Sequence, residues 1–254
     1  MSPRSASVNE ELRRRSRERL LQATVELVAE HGYEATTLGD IADRAGSARG
    51  LISYYFTGKR QLFQSAVHRL MHLTLAEALE RGGSAGGAHG EGRTPGAHSE
   101  HGAQDEGGGR ETMARAIDAI LGLARDHPVL MRAHMAGILQ QEGFVQCDEQ
   151  QRLAALLHET MTRFGSSSPD TDYPLLRAQL MGAVVAVLLP GAPMPVERLR
   201  AELFARYGLD WELGVPPRSA TSQERTPRST LRLDRLRPCG TAGEPAPHDL
   251  PDQR

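Results

Sequence analysis

Two short helical segments joined by a tight turn constrain the fold of this chain more than any other feature. The stretch TLGDIADRAGSARGLISYYF begins at Thr37, and Thr37 and Asp40 have the spacing of a capping box at a helix start. Gly46 stands where that helix is expected to end. A second helix follows within two residues and runs to about Tyr55. The stretch therefore predicts a helix-turn-helix unit spanning residues 37–56.

Longer amphipathic helices flank this unit. Apolar residues recur at helical spacing from about Asn9 to His31. Another helical pattern begins near Lys59 and continues to about Glu80. We therefore expect an N-terminal helical domain over residues 14–74, with the following core residues: Ile41, Ala42, Ile52 and Phe56.

Composition excludes several classes of protein. The two cysteines, Cys147 and Cys239, are far apart and lack the spacing of a zinc site or a disulfide framework. No apolar run reaches about 18 residues, and the basic N-terminus lacks the apolar stretch of a signal peptide. We expect a cytoplasmic protein with no membrane partner, no cofactor and no metal.

Three segments contain too few large apolar residues to form a core. Residues 1–13 are predicted to be a flexible arm. The Gly- and His-rich residues 82–110 are predicted to be a disordered insertion, and the Pro- and Arg-rich residues 215–254 a disordered tail. Between these two segments, residues 111–210 show helical patterns throughout, and no strand pattern is evident anywhere.

The helix-turn-helix stretch lies within a longer similarity. Residues 20–63, LLQATVELVAEHGYEATTLGDIADRAGSARGLISYYFTGKRQLF, resemble the DNA-binding domain of the tetracycline-repressor (TetR) family of transcriptional regulators. The segments E-H-G-Y-x-x-T-T, I-A-x-x-A-G, G-x-I-x-Y-Y-F and G-K occur in register, and the resemblance covers about residues 14–74. It implies an all-α homodimer with an N-terminal three-helix helix-turn-helix domain and a C-terminal helical ligand-binding and dimerisation domain.

The second helix of the unit is the expected reading helix. Arg49 can donate two hydrogen bonds to a guanine edge, Leu51 can touch a thymine methyl, and Ser53 can donate or accept. Gly50 lets the backbone approach the bases closely. The family often has a Thr or Ser where this chain has Leu51, and an aromatic residue where it has Ser53, so no relative's operator sequence can be transferred.

Phosphate contacts are expected beside that helix. The candidates are the Thr37 hydroxyl, the Tyr54 hydroxyl and Lys59, the only lysine of the chain, at the N-terminus of the next helix. Tyr55 is either a second phosphate donor or a packing residue. Residues 1–72 carry 11 basic and 8 acidic side chains, whereas the whole chain has a net charge of −2.

The C-terminal domain offers candidates for a ligand pocket. Met and Phe side chains at helical spacing indicate an adaptable apolar cavity, although methionines in helices are more often ordinary core. His134 is the polar residue expected in it. The candidate pocket residues are Met113, Met131, His134, Met135, Phe144, Met161 and Phe164.

The last two helices, about 173–189 and 195–208, are the expected dimer surface. The first of them is almost wholly apolar and must be buried, either in a four-helix bundle shared by two copies or as a core helix of a monomer. The candidate interface residues are Leu176, Ala178, Leu180, Gly182, Ala183, Val184 and Ala186.

These features indicate a sequence-specific transcriptional regulator. By resemblance, it is a ligand-responsive repressor that binds a palindromic double-stranded DNA operator as a homodimer and responds to a small, apolar ligand. One alternative is a ligand-independent architectural DNA-binding protein. A remote alternative is an enzyme or metal-binding helical protein, because His68 and His72 have a metal-like spacing but lack the glutamate of an H-E-x-x-H site. We do not expect an enzyme.

Overall fold

The computed structural model describes residues 3–83, 101–139 and 146–210, and within these ranges the regular structure is entirely helical. The predicted all-α fold is confirmed. The helices are α1 (Pro3–His31), α2 (Leu38–Arg44), α3 (Arg49–Tyr55), α4 (Lys59–Gly83), α5 (His101–Asp126), α6 (Pro128–Ile138), α7 (Asp148–Arg163), α8 (Pro169–Leu188) and α9 (Val196–Arg206).

The capping box at the start of α2 is confirmed. The Thr37 N–H donates to Asp40 Oδ2 at 3.0 Å, and the Asp40 N–H donates to Thr37 Oγ1 at 3.2 Å. Gly46 has a φ of 57°, the left-handed conformation that lets the chain turn from α2 into α3. All four predicted core residues of the unit are buried: Ile41, Ala42, Ile52 and Phe56.

Helix α1 begins earlier than the sequence indicates. Residues 3–13, predicted to be a flexible arm, form its first turns. Arg14 donates to both Glu11 and Glu18, one helical turn away on each side. Such pairs stabilise a helix by a few tenths of a kcal/mol each, so a polar segment can continue a helix that the core has already anchored.

Part of the predicted insertion is also helical, because α5 begins at His101. A Cβ atom added at Gly109 would overlap the carbonyl oxygen of Arg163, so α5 and the end of α7 approach each other closely there. Only a glycine permits that approach. Residues 84–100 of the insertion and the predicted tail 215–254 lie outside the described residues.

Helix α4 belongs to both halves of the chain. It packs against α1 on one side and against α5, α6 and α7 on the other. In the C-terminal half, a buried ion pair connects α9 to α5, with Arg200 Nε 2.7 Å from Asp118 Oδ1. No helix in the described ranges is both long and apolar enough to cross a membrane.

Candidate functional site

The polar residues predicted to read DNA share the solvent face of α3. Ile52 is 1% exposed and anchors the helix to the core. Arg49, Gly50 and Ser53 are exposed, and Tyr54 is exposed over 65% of its surface. Residues three and four apart lie on one side of a helix, so this face presents a guanidinium, a hydroxyl and a phenol together.

Arg49 rests against α2 through a residue that the sequence analysis did not single out. A Cβ atom added at Gly39 would lie 2.7 Å from Nη2 of Arg49. Gly39 therefore leaves the space in which the guanidinium lies. Leu51 is half-buried, so only part of its side chain is available for contact.

The Thr37 hydroxyl is already used inside the capping box. It donates to Asp40 Oδ2 at 2.8 Å, and this hydrogen bond lowers the pKa of Asp40. Thr37 itself is exposed. A phosphate contact from its hydroxyl would require that hydrogen bond to break.

Tyr55 of α3 forms a hydrogen bond to α1. Its hydroxyl donates to the carbonyl oxygen of Arg13 at 3.2 Å. The rings of Tyr54 and Tyr55 meet edge-on, with centroids 4.9 Å apart. Of the two roles open to Tyr55, this geometry favours packing over a phosphate contact.

Lys59 lies at the start of α4, beside the loop that joins α1 to α2. Its Nζ atom is 4.4 Å from the ring centroid of Tyr33 and donates to the carbonyl oxygen of Glu34 at 3.2 Å. An ammonium group has three donors. The side chain is thus held near the predicted DNA face while it retains donors for a phosphate.

A cavity opens between α4, α5, α6, α7 and α8. It contains about 550 Å³ of empty space, counted to its opening at the solvent, and its walls are mainly apolar. The lining residues are His68, Met71, Ile120, Met131, His134, Met135, Ile138, Gln150, Leu153, Ala154, Leu157, Tyr173, Arg177, Leu180, Met181 and Val184.

Three of the seven predicted pocket residues line this cavity: Met131, His134 and Met135. Met113 and Met161 are buried elsewhere in the core, as methionines at helical spacing usually are. Phe164 instead packs on Tyr207, with ring centroids 5.8 Å apart. Phe144 lies outside the described residues.

Two buried imidazoles stand at the polar end of the cavity. The rings of His68 and His134 meet edge-on, with centroids 5.0 Å apart. Burial, together with nearby Arg177, lowers the pKa of His68 to about 4, and burial lowers the pKa of His134 to about 3. Both rings are therefore neutral at pH 7. Nδ1 of His134 is buried and has no hydrogen-bond partner among the described residues.

His68 contacts the start of α7. Nδ1 of His68 lies 3.2 Å from Sγ of Cys147, and that sulfur accepts a hydrogen bond from the N–H of Gln150 at 3.4 Å, capping the helix. Burial raises the pKa of the Cys147 thiol. Within the described ranges, no three His, Cys, Asp or Glu side chains are placed to hold a metal ion.

An ion pair connects α7 to α1, next to the helix-turn-helix unit. Arg17 of α1 donates to both carboxylate oxygens of Glu149, whose side chain is 3% exposed. Burial is the largest single influence on Glu149 and raises its pKa, but the hydrogen bonds and charge of Arg17, together with hydrogen bonds from the backbone N–H of Glu149 and from Cys147, lower the pKa by more in sum, and the net shift is downward. The same guanidinium lies 5.2 Å from the ring centroid of Phe56, directly after α3.

The predicted dimer residues divide between two faces of α8. Four of them point into the core of the same chain: Leu176, Leu180, Ala183 and Val184. Ala178 and Gly182 are exposed, and Ala186 is half-buried. For the four buried residues the expectation of an interface is wrong, because α8 packs on α5, α6 and α7 through that face.

The exposed face of α8 carries a regular apolar stripe. Leu175, Val185 and Leu189 are 56%, 42% and 47% exposed. Together with Ala178 and Gly182 they follow a spacing of three and four residues in alternation. This is the spacing by which one helix packs along another.

The chain is similar to known bacterial regulators. The family described as "Bacterial regulatory proteins, tetR family" matches residues 20–66. The HTH-type transcriptional regulator BetI 1 of Chromohalobacter salexigens is 40% identical over 65 residues, 26% of this chain and 32% of that protein. The Probable acrEF/envCD operon repressor of Escherichia coli K12 is 36% identical over 72 residues, 26% of this chain and 33% of that protein.

These matches span only about a third of each relative's length. The fold is similar over a longer range. A TetR-family transcriptional regulator from Streptomyces coelicolor superimposes with a TM-score of 0.51 at 20% identity, over 77% of this chain and 97% of that one. Residues 20–66 of this chain therefore match the tetR family of bacterial regulatory proteins, and the longer similarity is one of fold.

Proposed function

We propose that this protein is a repressor that binds a palindromic DNA operator as a homodimer and releases it when a small molecule occupies the cavity. The observation that carries the proposal is the exposed polar face of α3, on a helix-turn-helix unit that matches the tetR family. In this proposal α3 enters the major groove, as the second helix of such units does.

Base reading is assigned to the start and middle of α3. Arg49 donates to a guanine edge, Ser53 contacts a neighbouring base, and Gly50 admits the backbone. Tyr54 and Lys59 hold phosphates on either side. Leu51 contacts a base only through the exposed part of its half-buried side chain. The Thr37 hydroxyl donates to a phosphate only after its hydrogen bond to Asp40 breaks.

The dimer is assigned to the exposed stripe of α8. Two copies of α8 packing along Leu175, Ala178, Gly182, Val185 and Leu189 would bury apolar surface that one chain leaves in water. The small residues at the centre allow the helices to approach closely. A two-fold dimer of this kind presents its two reading helices to half-sites about 34 Å apart or a small multiple of that distance.

The signal from cavity to DNA is assigned to two routes. Helix α4 carries His68 in the cavity wall and Lys59 at the DNA face. Arg60, the next residue, donates to the carbonyl oxygen of Gly137 on α6 at 3.1 Å. The second route is the Arg17–Glu149 pair. A ligand can shift the DNA-binding equilibrium only by its differential affinity for the two states.

The test is binding of the purified protein to the DNA upstream of its own coding sequence, compared with a scrambled duplex over a series of salt concentrations. Lys59→Ala is expected to weaken binding to both duplexes and to lower the salt slope by about one, as a phosphate contact does. Arg49→Ala is expected to cost about 1–3 kcal/mol on the operator and much less on the scrambled duplex.

Arg198→Ala on the exposed side of α9 is the matched control and is expected to bind like wild type. Equal affinity of wild type for both duplexes would contradict sequence-specific reading. It would favour the ligand-independent architectural protein instead.

A further inference from the structure

We infer that Gly39 of α2 is a determinant of base selectivity, because it allows the Arg49 side chain to rest against α2 in the orientation from which it reads a guanine. Gly39 itself contacts no base and acts only through Arg49, as a positioning residue. The inference rests on the proposed function in one respect, the assignment of α3 to base reading. It adds a residue outside α3 to those that decide which sequence is bound.

The close approach of the two residues carries the first step. The Arg49 guanidinium lies across the first turn of α2, where a Cβ atom added at Gly39 would lie 2.7 Å from Nη2, 3.0 Å from Cζ and 3.3 Å from Nε of Arg49. Two non-bonded carbon atoms attract each other best at about 3.5–4.0 Å. A methyl group at position 39 and the guanidinium therefore cannot both occupy these places, and one of them must move.

The guanidinium is the group that would move. Helix α2 is anchored in the core by Ile41 and Ala42, which are 1% and 0% exposed. Arg49 is exposed, and its long side chain has several rotatable bonds, so it can leave α2 without disturbing the core. Gly39→Ala should therefore displace the Arg49 side chain and leave the backbone of the helix-turn-helix unit in place.

The backbone of α2 does not itself require a glycine at this position. Gly39 is the second residue of the helix and is not in the left-handed conformation that favours glycine. A glycine within a helix makes it less stable than an alanine does. The three heavy atoms nearest to an added Cβ all belong to Arg49. The space that Gly39 leaves is thus space for this one side chain.

A neighbouring carboxylate restricts the guanidinium further. Hydrogen bonds from Thr37 lower the pKa of Asp40 most, and the positive charge of Arg49 also lowers it, so the guanidinium lies within electrostatic range of that carboxylate. Asp40 is held in place by the capping box of α2. Reading a guanine with two hydrogen bonds requires both N–H donors to point at O6 and N7 together. A guanidinium that rests on Gly39 and is attracted by a fixed charge meets this requirement with less loss of freedom than a mobile one.

The test measures base preference with the full-length protein. The operator is taken from the DNA upstream of the coding sequence, each of its G·C pairs is replaced by A·T in turn, and dissociation constants are measured at one salt concentration. Wild type is expected to prefer guanine by at least about tenfold at one pair of each half-site, and Arg49→Ala to lose that preference. Gly39→Ala is expected to reduce the same preference to less than about threefold and to keep the preferences at other pairs.

A double variant distinguishes positioning from a general structural effect. If Gly39 acts through Arg49, the variant that combines Gly39→Ala with Arg49→Ala should bind every duplex as Arg49→Ala alone does. The thermal midpoint of Gly39→Ala should equal or exceed that of wild type, because alanine is the better helix former. Reduced selectivity in a protein of undiminished stability is a result that a merely structural role would not produce.

Gly122→Ala in α5 is the matched control. Gly122 is half-buried, as Gly39 is, but the nearest side-chain atom to an added Cβ would lie 3.9 Å away. This variant is expected to keep all the base preferences of wild type.

The inference and the proposed function can fail separately. If Gly39→Ala keeps or strengthens the guanine preference, or if Arg49→Ala does not change it, the inference is overturned while sequence-specific binding stands. Weaker binding of Gly39→Ala to every duplex alike, or a further loss in the double variant, would also overturn it. Equal binding of the operator and a scrambled duplex by wild type would overturn both.

Discussion

At the scale of single residues, the imidazoles of the cavity link stability to pH. An unfolded histidine has a pKa near 6.5, whereas burial lowers the pKa of His68 to about 4 and that of His134 to about 3. As pH falls below 6.5, the unfolded chain takes up these protons before the folded one does. The stability contributed by the neutral rings is therefore complete above pH 6.5 and is lost progressively toward pH 4.

We expect the free energy of unfolding to fall between pH 6.5 and 4.5 by up to about 1.4 kcal/mol per pH unit for each imidazole. His134→Leu should reduce that slope by about one imidazole's share. Urea unfolding at pH 7, 6 and 5 measures it. Met135→Leu alters the same cavity without removing a ring and should keep the wild-type slope, and a His134→Leu slope equal to wild type would count against the prediction.

At the scale of helices, sequence alone located most elements because their ends carry local chemical signals. The capping box of Thr37 and Asp40 marks α2, and Pro128 opens α6 as its first residue. These local signals did not predict the structure where contacts with other parts of the chain determine it. Polar residues 3–13 continue α1 because the buried part of the helix is already formed, so its extension does not require the unfavourable nucleation step.

The same limit explains why the sequence did not predict which face of α8 is buried or which residues line the cavity. Helix α8 is apolar on nearly every side, so its sequence pattern cannot distinguish the face against α5 from the face in water. The cavity residues come from five different helices. Helical spacing places Tyr173 and Arg177 on one side of α8, but no periodicity within one helix could bring them next to His68 of α4, and only the packed structure does so.

The exposed stripe of α8 makes a prediction at this scale. Val185→Lys places a charge in the middle of the proposed interface, where a pair of such charges would face each other across the two-fold axis. We expect sedimentation equilibrium to show a monomer where wild type is a dimer. Because Val185 is 42% exposed in the single chain, the circular dichroism spectrum should remain that of wild type.

Ala155→Lys adds the same charge at an exposed position of α7 and is the control. It should leave the dimer intact. A Val185→Lys protein that remains dimeric would place the interface elsewhere.

At the scale of the whole molecule, cavity and DNA face are joined by a continuous series of contacts. His134 meets His68, His68 meets Cys147 at the start of α7, and Glu149 in the first turn of α7 holds Arg17. Arg17 in turn covers Phe56. A change at the cavity wall that displaces α7 must therefore move or break a buried ion pair beside the reading helix.

Breaking one side of that pair and replacing both sides should have different effects. Glu149→Gln leaves Arg17 without its carboxylate and should cost about 3 kcal/mol of stability, near the lower end for buried pairs because Arg17 is 27% exposed. The double variant Arg17→Met with Glu149→Leu removes both charges and should recover most of that loss.

Coupling between sites is reciprocal, so operator binding must act back on α7 if this pair transmits the signal. In wild type we expect operator DNA to slow amide hydrogen exchange in the first turn of α7, around Gln150 and Gln151. In the double variant, operator affinity should persist because neither residue lies on the exposed face of α3, but that protection should disappear. Equal protection in both proteins would leave α4 as the route between the cavity and the DNA.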